Sequence, residues 1–86
     1  MVTTKFWCKK DEQHKGMCKF VMDVVDQFSA TKLGYDLRHV HTCLSWGFRD
    51  RQLYGYRLKV DREGNQVNIY KETERLAAVK LHDHAN

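Results

Sequence analysis

Met17, Phe20, Val21, Val24, Val25 and Phe28 recur at offsets of 3, 4, 7, 8 and 11 residues, a spacing that lines one side of a helix and no single side of a strand. Whatever fold forms must seat that stripe against another apolar surface. Lys19, Asp23, Asp26 and Gln27 mark the opposite face as solvated, Asp11 is placed to cap a longer version of the helix, and Gly34 supplies a stop.

After Gly34 the period changes to two. Val40, Thr42, Leu44, Trp46 and Phe48 alternate with His39, His41, Cys43, Ser45 and Gly47, which predicts a half-buried strand. The polar RDRQ at 49–52 turns the chain into LYGYRLKV, a second strand with Tyr54, Tyr56, Leu58 and Val60 inward and Gly55, Arg57 and Lys59 outward. DREGN reads as a hairpin connection into QVNIY, with Val67 and Ile69 inward. KETERLAAVKLHDH is rich in strong helix formers, with Thr73 as a cap and Leu76, Ala77 and Leu81 on one side, and predicts a closing helix. KFWCKK reads as a short strand or an arm, with Phe6 and Cys8 on one side and Trp7 on the other. The expected fold is α+β: a three-stranded antiparallel sheet with two helices on one face, in the order helix, strand, strand, strand, helix, and an N-terminal segment able to add a strand.

With 86 residues and no proline, the chain has room for one small core and shows no linker, repeat or biased segment. Its apolar runs are too short for a membrane span or a signal peptide, so a cytoplasmic location is expected, and an odd count of three cysteines fits thiols kept reduced. Net charge is +4, and residues 38–62 hold six Arg/Lys against two Asp, so the whole excess sits in the middle of the chain.

If Val40, Leu44 and Trp46 face the helices, a period of two sends His39 and His41 to the outer sheet face beside Arg57 and Lys59, with Gln66, Asn68 and Tyr70 on the third strand. Such a polar, basic and partly aromatic face suits a polyanion, most directly duplex nucleic acid. Arg57 and Lys59 are the expected central phosphate contacts, His39 and His41 pH-sensitive support, and Arg49, Arg51 and Arg62 contacts at the strand ends. Tyr70 or Tyr35 is available to stack on bases.

Cys8, His14, Cys18, His39, His41 and Cys43 are all metal-ligand types, but none forms a C-x2-C pair. On an extended chain His39 and Cys43 stand about 13 Å apart at ~3.3 Å per residue, so no metal site is expected. A Ser-His-Asp order, a glycine-rich phosphate loop, an HExxH and a paired-carboxylate motif are all missing from the text. The expectation is a protein without catalysis, cofactor, small-molecule substrate or membrane partner.

YRLKVDREGNQVNIYKETERLAAVKL resembles the end of a double-stranded-RNA-binding domain, in which a hairpin leads into a helix that opens with lysines and runs through paired alanines. That resemblance implies the same helix, three strands, helix order and adds Lys71 and Arg75, at the start of the final helix, as phosphate contacts. GYRLKV, QVNIY and ERLAAVKLH are also similar to the second strand, third strand and helix of the AP2 and integrase-arm type, whose exposed sheet face enters a DNA groove. In style the chain further resembles the small accessory proteins with which bacteriophages inhibit or redirect host enzymes. That alternative implies a host protein as partner, held by aromatic and Arg anchors.

Overall fold

The computed structural model describes residues 2–30 and 36–83, so the expected stop at Gly34 and the stacking candidate Tyr35 lie outside the described residues. In chain order it contains strand β1 (Val2–Cys8), a 3-10 turn (Glu12–His14), helices α1 (Lys15–Ala30) and α2 (Leu37–Asp50), and strands β2 (Tyr56–Asp61), β3 (Gln66–Lys71) and β4 (Glu74–Asp83). The α+β class stands, but the sheet has four strands, all antiparallel, in the order β1-β4-β3-β2. The N-terminal segment does add a strand, and the element order departs from helix, strand, strand, strand, helix at two places: residues 37–50 are helical where the first strand is expected, and residues 74–83 form a strand where the closing helix is expected.

α1 follows the periodicity that predicts it: Met17, Phe20, Val21, Val24, Val25 and Phe28 are all buried. Asp11 starts the segment by accepting from the Gln13 N–H at 3.0 Å, capping a 3-10 turn that runs straight into the helix. Within that turn the buried His14 puts Nδ1 2.6 Å from the Tyr56 hydroxyl and so ties the helix entry to β2. Burial, reinforced by the charge of Asp11, pushes the Tyr56 phenol above its ordinary pKa. β1 likewise keeps the expected sidedness, with Phe6 and Cys8 packed against the core and Trp7 exposed on the other side.

The expected strand at 39–48 is instead α2. Asp36 accepts from the His39 N–H at 3.0 Å as the N-cap. The buried positions Val40, Leu44, Gly47 and Phe48 fall at offsets of 4, 7 and 8, the helical template. A strand reading needs Thr42 and Trp46 inward. The helix turns both to solvent, leaving Trp46 63% exposed.

The expected closing helix is β4. Its Ala, Leu and Glu favour a helix by only tenths of a kcal/mol per residue, roughly, and pairing with β1 on one side and β3 on the other overrides that preference. Ala77, Val79 and Leu81 alternate into the core. Opposite Ile69 and Tyr70 the register slips, so Ile69 pairs with Ala77 while Tyr70 pairs with Arg75. Leu76 is the extra residue, and it too is buried.

Both helices cover one face of the sheet, α1 over β1 and α2 over β2 and β3. They meet at Gly47, where a Cβ would stand 1.9 Å from Phe20 Cζ, so the α1 ring occupies the space that glycine leaves. Phe20 is further held between Phe48, 5.6 Å between centroids, and the Arg51 guanidinium, 4.2 Å from its ring centre. Beyond that contact, a Cys8–Cys18 disulfide with Cα atoms 6.2 Å apart joins the end of β1 to α1, correcting the expectation of unpaired thiols. Cys43 is free and exposed on α2.

Two stability predictions follow from the helices. Gly47→Ala should destabilise the protein by about 1–3 kcal/mol in urea unfolding, through overpacking against Phe20, and Phe20→Leu in the same chain should recover part of the loss; additive losses would contradict the contact. The second concerns Asp36, whose carboxyl is held below the ordinary carboxylate pKa chiefly by the His39 backbone N–H, with the charges of His39 and Arg38 adding. A depressed folded value means the cap contributes above the unfolded pKa of about 3.9 and fades as pH falls through the folded one. Asp36→Ala should thus lower the urea midpoint at neutral pH, with the gap to the parent closing in acid; a gap constant with pH would contradict the cap.

Candidate nucleic-acid interface

Residues directly opposite each other in an antiparallel ladder share a face, so the register assigns the uncovered side of the sheet row by row. A middle row runs Trp7, Ala78, Asn68, Lys59. On one side of it lie Lys5, Lys80, Gln66 and Asp61, and on the other Arg75, Tyr70 and Arg57. Lys5, Arg57, Lys59, Arg75 and Lys80 are all exposed, giving this face, among the described residues, five cations against a single acid, Asp61. Asp61 is already engaged, since its carboxylate accepts from the Gly64 N–H at 3.2 Å in the hairpin turn.

The bulge in β4 decides the membership of Arg75. An unbroken register would place Leu76 outward and Arg75 toward the helices; the extra residue reverses both. Arg75 then lies with its guanidinium 5.2 Å from the Trp7 ring centre, while the indole stays 47% exposed. At the centre of the face Asn68 points outward yet is only 7% exposed, and its Oδ1 accepts from Gln66 Nε2 at 2.7 Å. Among the described residues no acceptor meets its Nδ2.

Arg57 and Lys59 stand where the alternation of β2 predicts, with Gln66, Asn68 and Tyr70 beside them. His39 and His41 do not. Because residues 37–50 are helical, both leave the sheet: the His39 Nδ1 lies 2.8 Å from Asp36 Oδ1, and the half-buried His41 lines a cleft of about 530 Å³ with Arg38, Arg62 and Asn65. Arg49 ends α2 on the helix side, Arg51 covers Phe20, and Arg62 projects from the β2–β3 turn. Lys71 puts its ammonium 5.2 Å over the Tyr56 ring rather than opening a helix. Lys9 pairs with Glu74, whose hydrogen bond and charge hold its ammonium above the ordinary pKa, so it adds nothing to the field of this face.

Lys5 and Lys80 join the face without having been singled out from the sequence, and Trp7 joins it from the outer side of the N-terminal segment. The signal is period two in KFWC and AAVKL, where Phe6, Cys8, Ala77, Val79 and Leu81 turn inward and leave their neighbours outward. In the described residues no three His, Cys, Asp or Glu side chains gather as metal ligands, and no helix is long and apolar enough to cross a membrane. His14 serves Tyr56, and Cys8 and Cys18 serve each other. Compared with protein-family models, curated proteins and solved structures, the chain matches none.

Proposed function

We propose that this protein is a non-enzymatic nucleic-acid-binding domain that lays its uncovered sheet face on the phosphate backbone. The observation that carries the reading is charge uniformity: among the described residues Lys5, Arg57, Lys59, Arg75 and Lys80 share one face with Asp61 as their sole counter-charge. A one-sided antiparallel sheet ordinarily has a solvated polar outer face, and here the charge on it is almost all of one sign. Placed against a polyanion, five cations release counterions and make binding steeply salt-dependent. Arg57 and Lys59 remain the central contacts, and Arg75 now joins them through the bulge rather than through a terminal helix.

A second reading has its own observation. Trp46, 63% exposed, stands in the middle of the solvent side of α2, and Tyr54 is 75% exposed just before β2. Large aromatic side chains of this kind anchor protein interfaces, which keeps a host protein as the alternative partner. Under that reading an extract treated with nuclease should still yield one partner, lost with Trp46→Ala.

The nucleic-acid reading predicts that labelled oligonucleotides bind at low salt with a log–log salt slope of about −3.5 to −4.5, for roughly five phosphates neutralised. Arg57→Ala with Lys59→Ala should weaken binding and flatten the slope by about 1.4 to 1.8. Arg49→Ala with Lys71→Ala, on the helix side, should leave it unchanged. Full retention of affinity and slope by the first pair would overturn the assignment of the face.

A further inference from the structure

We infer that the sheet face is shaped for a single strand, its bases unstacked across the middle row and against Trp7, rather than for a duplex; this rests on the nucleic-acid reading above. The relief of the face is the first reason. Ala78 and Asn68 are the low points, one with a single-carbon side chain and the other only 7% exposed, and they lie between Trp7 at one end and Lys59 at the other. Three strand spacings separate Trp7 from Lys59, about 14 Å, and four-stranded sheets are known to stack two or three bases on such a face. Cationic rows flank this trough on both sides: Lys5 and Lys80 along one, Arg57 and Arg75 along the other.

Charge placement is the second reason. Alternate residues on one strand face are about 6.6 Å apart, so the two cationic rows stand roughly 13 Å from each other, with the trough between them. That spacing lets the phosphates of one strand reach either wall while its bases lie on the floor. A duplex hides its base faces by stacking and pairing, and offers the floor only base edges and two separate backbones. It has little use for an exposed indole, whereas every unstacked base has a π-face to set against one.

The polar groups of the trough agree with this occupant. The Asn68 Nδ2 donor lacks an acceptor among the described residues and sits where a base edge would pass. Arg75 already lies against the indole and can hold a phosphate, a stacked base or both, while Tyr70 between Arg75 and Arg57 offers a second ring. The resemblance to a double-stranded-RNA-binding domain implied a terminal helix opening with Lys71. Those residues form a hairpin and β4 instead.

Trp7 can be read alone in a Trp46→Phe background, because the chain has two tryptophans. Short oligo(dT) and oligo(U) strands and DNA and RNA duplexes of the same length are titrated at low salt, following indole emission and affinity. The strands should quench Trp7 and bind about tenfold or more tighter than the duplexes. Trp7→Ala should cost about tenfold or more in strand affinity at an unchanged salt slope, and Trp7→Phe should restore most of it. Circular dichroism checks that both variants fold, and Trp7→Phe keeps the test valid should the alanine variant fail. A duplex that binds as tightly as the strands, or strand affinity indifferent to Trp7→Ala, overturns the inference and leaves the polyanion reading standing. Absence of binding by every nucleic acid at low salt overturns that reading and this inference with it.

Discussion

β4 has a hydrogen-bonded neighbour on each side, and that double pairing organises the molecule. It joins the strand nearest the N-terminus to the hairpin that closes the chain, so β1 becomes part of the sheet instead of an arm. Its inward residues Ala77, Val79 and Leu81 form the floor on which α1 and α2 sit, together with Val67 and Ile69 of β3. Each fully buried Val or Leu there adds roughly 1.5–3 kcal/mol of apolar transfer, far above the few tenths by which its residues prefer a helix. The bulge at Leu76 adds one more function: it keeps a leucine in the core while sending Arg75 outward beside Trp7.

Local pattern and tertiary context separate in this chain at identifiable residues. The six apolar positions from Met17 to Phe28 permit one periodicity only, and α1 forms there. Around Val40, Leu44 and Phe48 both periods fit, because residues four and eight apart satisfy a strand and a helix alike. Thr42 and Trp46 tip the reading toward a strand when counted as core; Gly47, buried because Phe20 needs its space, tips the molecule toward a helix. Asp36 as an N-cap was the available signal. In β4 the deciding contacts come from β1, whose partners stand 69 (Cys8 with Ala77) to 81 (Val2 with Asp83) residues earlier, and no local propensity reports them.

The candidate site was legible to the extent that its strand was. Arg57 and Lys59 stand on the outer face because β2 alternates as its sequence does, and the same holds for Asn68 and Tyr70 on β3. His39 and His41 left the site when their strand became a helix. Trp7 and Lys80 entered it through the β1–β4 ladder. The resulting face carries fixed charge and aromatic surface.

The central claim, that the uncovered sheet face is the binding surface, is tested most directly by adding a short oligo(U) strand to isotope-labelled protein at low salt and following each backbone amide and both indole N–H signals. Shifts are expected to concentrate at Lys5, Trp7, Lys59, Asn68, Tyr70, Arg75 and Lys80, with the Trp46 indole and the solvent side of α2 silent. Shifts centred instead on Trp46, or on the cleft of Arg38, His41 and Arg62, with the sheet face unmoved, would contradict that claim.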